Sequence, residues 1–454
     1  MNRFPVELIV SASDLDYKLQ MPKALTETSE AGLVRGIRRW DLVAVTINGI
    51  IGGGIFGLPA VVFGKINSYS LIAFVVCALV VALIILCFAE VGSRFDQTGG
   101  PYLYAREAFG PTTAFEIGWL IWLARLTAFA ANANLLVSYL SYFFPSAINP
   151  GWRAFIIIAI VIVIAAINIL GVRQAAIVSN FFTIGKLIPL LLFIGVGLFF
   201  LNREAFLLGP PPAAGAFSGS VLLLIYAFTG FEMATIPAGE IRDPKRSLPR
   251  ALLIAIAVVA FVYILIQVVS VGTLPGLAQS QKPLADAGAR FMGTAGGAII
   301  SAGAVISIVG NLNILVLSGS RIPFAIAEQR QLPEFIAKVH RRFATPYIAI
   351  LITAGLMLLF TLKSSFSQAL AISAIARLIT YGATCLSLPV LRRRSDAPPA
   401  AFRLRAGNLV AGLSLLLIVW LLTSARKEAL AAAIAAAVGF LIFFAYRSYA
   451  RRRH

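Results

Sequence analysis

Long apolar runs separated by short polar or charged connectors set the rhythm of this chain. They fall near residues 41–63, 69–92, 110–144, 154–170, 178–200, 217–239, 251–272, 296–320, 346–362, 367–390, 406–423 and 428–445. A helix needs about 20 mostly apolar residues to cross a ~30 Å hydrocarbon core, so the pattern predicts about twelve transmembrane helices. The third run is too long to stand upright and is expected to tilt or to continue beyond the lipid.

Composition agrees with an all-α integral membrane protein. Of 454 residues, 59% are hydrophobic and 13% charged, with a mean hydropathy of +0.89. A soluble domain carries about 25% charged residues. The net charge of +19 does not point to nucleic acid, because the basic residues sit in short clusters between apolar runs rather than on a patch with interleaved aromatics. Membrane proteins concentrate Lys and Arg in their cytoplasmic connectors. With both termini inside, 27 of the 38 Lys and Arg residues face the cytoplasm and eight face outside. The expected topology is therefore multi-pass in the cell membrane, N-terminus and C-terminus cytoplasmic. The polar first forty residues are expected to be a cytoplasmic tail rather than a signal peptide. Cys77, Cys87 and Cys385 all lie within apolar runs, which argues against a disulfide framework or a metal site.

Two runs are interrupted. The first contains TINGIIGGGIFGLP over residues 46–59, with glycines at 52, 53 and 54. Each Gly weakens a helix by about 1 kcal/mol relative to Ala, so the triplet predicts unwinding in mid-membrane. The sixth contains YAFTGFEMATIP over residues 226–237, with Gly230 near its middle and Pro237 beyond. Irregular backbone at membrane depth is tolerated where it lines a cavity or is buried in protein. Interrupted spans at corresponding places in two halves point to a transporter binding site. Spans one and six each open a set of five, and an odd number of spans per set inverts the second relative to the first. The bland alternative is that these glycines only allow close helix packing. The expected organisation is an N-terminal tail over 1–40, five-helix repeats over 41–200 and 217–390, two extra helices over 406–445, and a basic tail over 446–454.

Residues 50–56, IIGGGIF, resemble the G-[ST]-G-[IV]-F signature of the amino acid–polyamine–organocation (APC) superfamily of permeases. Residues 226–232 with 238–249, residues 99–110, and the stretch from Arg321 to Pro333 resemble three further motifs of that superfamily, in its order. Gly53 departs from the pattern, since many members carry Ser or Thr there. The resemblance implies a LeuT-type 5+5 inverted repeat with discontinuous helices 1 and 6, two extra helices, and alternating access. It also implies that an amino-acid substrate meets unwound backbone. The physics agrees: half-helix N-termini suit a carboxylate and half-helix C-termini suit an ammonium. Gly52, Gly53 and Gly54 are assigned to the carboxylate. Ile50 and the backbone around Ala227, Phe228 and Thr229 are assigned to the ammonium. Tyr226 sits where related permeases carry an aromatic gate, though plain packing would also place it there.

A charge at the centre of a span costs at least ~2.5–3.5 kcal/mol and is a functional hypothesis by default, and four stand out. Lys186, in the fifth span, matches a lysine that proton-coupled relatives carry against the first helix. This makes the proton the expected coupling ion, with snorkelling as the alternative. Arg125, in the third span, offers a planar fork suited to a carboxylate on the substrate, or pairs structurally with Glu232. Glu232 is expected to gate or to neutralise a neighbour, and Arg377 to pair inside the bundle. Glu90 and Arg94, at i and i+4, form an expected pair that is structural or belongs to an inner gate with Arg242.

No P-loop occurs, and the only histidines, His340 and His454, lie outside the spans. ATP-driven pumping and His-based catalysis therefore have no support. No cofactor and no metal are expected, nor an enzyme activity. The expected function is secondary active transport of amino acids by proton-coupled symport through Lys186. An amino acid or polyamine exchanger, and a non-transporting amino-acid sensor, stand as alternatives. The expected partners are a small amino-acid-like solute and the lipid bilayer, with the protein a monomer or homodimer.

Overall fold

The computed structural model describes residues 37–451 apart from Thr98, 171–174, Pro237 and Ala344; side chains at 175–185, 239, 426–428 and 447–451 also fall outside the description. Residues 1–36 of the expected tail, Arg173, Pro237 and residues 452–454 thus lie outside the described residues. Among those described, the chain is all-helical, with one isolated parallel bridge between Ile37 and Ile241.

The first apolar run forms two helices, α1 (Arg39–Ile50) and α2 (Gly54–Ile66). Then come α3 (Ser70–Gly92), α4 (Gly100–Phe109), α5 (Pro111–Leu140), α6 (Pro150–Leu170) and α7 (Ala175–Gly197). The sixth run gives α8 (Ala214–Ala227) and then short 3-10 turns at Phe231–Thr235 and Ala238–Glu240. The order continues with α9 (Pro244–Thr273), α10 (Pro283–Glu328), α11 (Tyr347–Lys363) and α12 (Phe366–Arg393). Two further helices, α13 (Gly407–Thr423) and α14 (Arg426–Arg451), complete the bundle.

Among the described residues, seven stretches qualify as spans by length and hydropathy, accompanied by four shorter apolar helices. Of these, α8 is half of an interrupted span, while α11 and α13 have 17 residues each. That is the lower edge of the roughly 17–25 that cross a bilayer.

A repeat is visible in element order. A broken span opens each half: α1 with α2 in the first, α8 with its 3-10 turns in the second. Between the second and third spans of the first half lies the ten-residue α4. At the corresponding place in the second half, α10 changes direction at Gly293 (φ 69°, ψ −173°), setting Pro283–Met292 apart as its own helical segment. The eighth span accordingly extends beyond the 296–320 expected. The third run begins at Gly110, which separates it from α4, and gives a 30-residue α5. At 1.5 Å per residue α5 is about 45 Å long, which a ~30 Å core accommodates by tilt. The second half of the sixth span is a set of 3-10 turns rather than an α-helix, a difference set by the left-handed Gly230 (φ 110°) that precedes it.

Helix α5 packs along both α10 and α12, and α9 along α3 and α1, so α5 and the two broken spans occupy the middle of the bundle. The end of the bundle where α1 begins, called here the base, is tied by a charge cluster. Glu90 is fully buried and accepts from Arg392 Nε (2.7 Å), Arg392 Nη2 (2.6 Å) and the Leu404 N–H (2.9 Å). Arg94 stands 3.8 Å from the same carboxylate and donates to the Pro398 carbonyl at 2.7 Å. The main partner of Glu90 is thus Arg392, 302 residues away in sequence, and the cluster fastens the α12–α13 connector beneath α3. Such bidentate Arg–carboxylate contacts are the strong, directional class of hydrogen bond.

Candidate functional site

Both helix interruptions lie side by side. α1 ends at Ile50 and is capped by Ile51, whose N–H bonds the Ile47 carbonyl at 2.9 Å, and α2 starts at Gly54. α8 ends at Ala227 with Phe228 as its cap, and Gly230 carries the chain through the left-handed region. A Cβ on Gly49 would stand 3.1 Å from the Gly230 carbonyl oxygen, so the two backbones are in direct contact.

A cavity of about 410 Å³ opens along this seam. Ile50, Gly52, Gly53 and Gly54 form one wall, and Tyr226, Ala227 and Thr229 form another. Arg125, Lys186 and Arg377 also line it. Among the residues predicted from sequence, Phe228 and Glu232 do not. Phe228 is fully buried, its ring edge-on to Tyr263 at 5.1 Å. Glu232 stands behind Arg377.

Lys186 donates to the Asn48 carbonyl at 2.7 Å and to the Ile51 carbonyl at 2.5 Å. These belong to the last turn of α1, where carbonyls have no helical partner and where a cation is favoured. The lysine is 7% exposed, so it does not snorkel to an interface. Tyr263 of α9, which sequence reasoning passed over, places its hydroxyl 3.1 Å from the Ile50 carbonyl and 3.2 Å from that of Ala227. One hydroxyl has one proton, so it cannot satisfy both acceptors fully. Each carbonyl keeps lone-pair capacity for a further donor.

Glu232 accepts three donors: Arg377, the Tyr381 hydroxyl (2.8 Å) and the Gly230 N–H (2.8 Å). It therefore caps the second half of the sixth span and neutralises Arg377. The alternative partnership with Arg125 is not formed. The contact of Arg125 is with the thioether of Met233, and no carboxylate among the described residues lies within ion-pair distance of it.

Two amide pairs stand beside the site. Asn132 on α5 donates to the Tyr226 hydroxyl and accepts from Asn311 of α10 at 3.3 Å. Asn168 donates to Asn313 at 2.9 Å, and the buried Ser307 hydroxyl on the cavity wall has no partner among the described residues. The available signal for these residues was the one used for charges: polar side chains inside apolar helices mark packing or function.

Asn132 also explains the unusual Gly53. A Cβ at position 53 would overlap the Asn132 side-chain oxygen. Gly53→Ser is therefore expected to impair folding or substrate binding by itself, with overpacking costing about 1–3 kcal/mol. Adding Asn132→Ala should restore part of the loss by freeing the space. The check is the melting temperature of detergent-purified single and double variants. Equal damage in both would remove this steric account.

A family model described as "Amino acid permease" matches residues 37–445. The serine/threonine exchanger SteT of Bacillus subtilis (strain 168) is 29% identical, over 83% of this chain and 87% of its own length. The methylthioribose transporter of the same organism is 26% identical over 96% of this chain and 98% of its own. Its branched-chain amino acid permease BcaP is 25% identical, over 92% and 94% respectively.

Proposed function

From the premise that this chain belongs to the amino acid permease family, we propose that it carries amino acids across the cell membrane by alternating access, coupled to protons through Lys186. The observation that carries the coupling is the seat of Lys186, whose ammonium holds the carbonyls of Asn48 and Ile51 at the break in span one and faces the cavity. While protonated, the lysine fastens α7 to the end of α1. Once deprotonated it loses most of that hold, and α1 is freer to swing. One proton would thus report on, and bias, the arrangement of the helix that binds substrate.

In this mechanism the substrate α-carboxylate is met by the amides of the Gly52–Gly54 turn, at the positive end of α2. The α-ammonium is met by the carbonyls of Ile50 and Ala227, competing with the Tyr263 hydroxyl, and by the neighbouring Thr229 backbone. Tyr226, whose ring lies against Gly54, covers the site from the end of the bundle opposite the base. In this reading the base faces the cytoplasm, which the distribution of basic residues supports.

An exchanger is the second mechanism, favoured by the relation to SteT, an exchanger by name. The deciding experiment is uptake of a radiolabelled amino-acid panel into proteoliposomes, with and without an inward proton gradient. Accumulation that needs the gradient supports symport. Uptake that ignores the gradient but needs internal substrate makes the protein an exchanger. Binding without uptake makes it a sensor.

A further inference from the structure

The charges around the cavity do not balance, and their imbalance specifies a ligand. Arg125, Lys186 and Arg377 line the wall, while no Asp or Glu among the described residues does. The one carboxylate nearby, Glu232, is committed to Arg377, Tyr381 and its own helix start. Glu232 also borders a small pocket with Arg125, but one carboxylate cannot balance two arginines and a protonated Lys186, so two positive charges remain in excess. An uncompensated charge away from water costs several kcal/mol, so a closed cavity in this state would be unfavourable.

Lys186 can shed its charge by releasing a proton; an arginine cannot. Arg125 therefore needs an anion. Its present contact, the thioether sulfur of Met233, is a weak acceptor. A carboxylate in that place would gain a charge-assisted, bidentate partner instead. Arg125 lies on α5 two turns before Asn132, which touches the Gly53 position, so it stands nearer the base than the glycine turn. A substrate whose α-carboxylate sits at the glycine turn would have its side chain free to reach toward Arg125 and Met233.

From this geometry we propose that the cavity selects amino acids with a carboxylate side chain, of the aspartate and glutamate class, and that Arg125 is the specificity-determining residue. The inference rests on the carrier reading above only for where the α-groups sit. A zwitterion with one extra negative charge neutralises Arg125, and release of the Lys186 proton then removes the last excess charge. The occluded site is then neutral overall. A neutral amino acid leaves Arg125 unpaired, and a cationic one adds a further positive charge.

The test uses purified full-length protein and compares glutamate with glutamine, and aspartate with asparagine. Ligand-induced thermal shift measures binding, and proteoliposome uptake measures transport. Preference for the acidic member of each pair by about tenfold or more, equivalent to ~1.4 kcal/mol, is the expected result. Arg125→Gln should raise the dissociation constant for glutamate by at least that factor while leaving glutamine unchanged or improved. Arg125→Lys, which keeps the charge but not the fork, should retain part of the preference and guards against misfolding of the first variant. Equal affinity for the two members of a pair in the unmodified protein would overturn the proposal. So would loss of both in parallel in a folded Arg125→Gln. Acid-selective binding without uptake would leave selectivity standing and remove only the carrier mechanism.

Discussion

Replacing Lys186 with methionine is expected to abolish gradient-driven accumulation in proteoliposomes while leaving substrate binding largely intact. Methionine keeps much of the length and none of the charge, so the Asn48 and Ile51 carbonyls lose the donor they now share. A buried polar group left without its partner costs about 1–3 kcal/mol. Two such groups at the end of α1 would shift the balance between its docked and released arrangements by ~30-fold or more. More important is that the variant carries no proton at this place, so an imposed gradient has nothing to act on. Counterflow, in which internal and external substrate trade places without net proton movement, should survive. Accumulation that still follows the proton gradient in Lys186→Met would show that coupling resides elsewhere. Loss of counterflow together with accumulation would make the lysine a structural cap on α1.

The prominence of Lys186 illustrates what a one-dimensional pattern can and cannot deliver. Span positions were legible because the length of an apolar run is itself the physical requirement for crossing lipid. The sequence places the second span at 69–92 and the structure at Ser70–Gly92; the ninth is 346–362 against Tyr347–Lys363. The helix α4 was not legible, since ten residues of mixed polarity give no apolar run to count. The helical segment Pro283–Met292 escaped for the same reason, and only its corresponding place in the second half pairs it with α4. At the site, the glycine triplet and Gly230 announced both breaks, because glycines repeated in an apolar helix oppose its continuation. Partnerships were another matter. Glu232 and Arg377 each stood out as a buried charge, yet 145 residues separate them, and nothing in the sequence prefers Arg377 over Arg125 as the partner. Tyr263 looked like any aromatic in an apolar run. Its importance comes from bridging two carbonyls that belong to different broken helices.

Gly230→Ala should be the most damaging single methyl group that can be added to this protein. Two independent penalties meet at that residue. Its φ of 110° lies where an L side chain is disfavoured, at a cost of about 1–3 kcal/mol. Its Cβ would also run into the Gly49 carbonyl, which is backbone and cannot rotate away as a side chain would. Relief would require the sixth span to separate from α1. That movement would strip Glu232 of the Gly230 N–H, loosen its hold on Arg377, and draw the Ala227 carbonyl away from Tyr263. The damage is therefore not confined to stability: the same contact sets the spacing of the two interrupted helices that frame the cavity. The expected outcome is a large drop in melting temperature or failure to purify, and no measurable substrate-induced thermal shift in whatever protein survives. Gly412→Ala, on α13 with no atom near its added Cβ, is the matched control and should behave as the unmodified protein. A stable Gly230→Ala that still binds substrate would mean that the two breaks are not held together by this backbone contact, and that the site is assembled chiefly by the side chains around it.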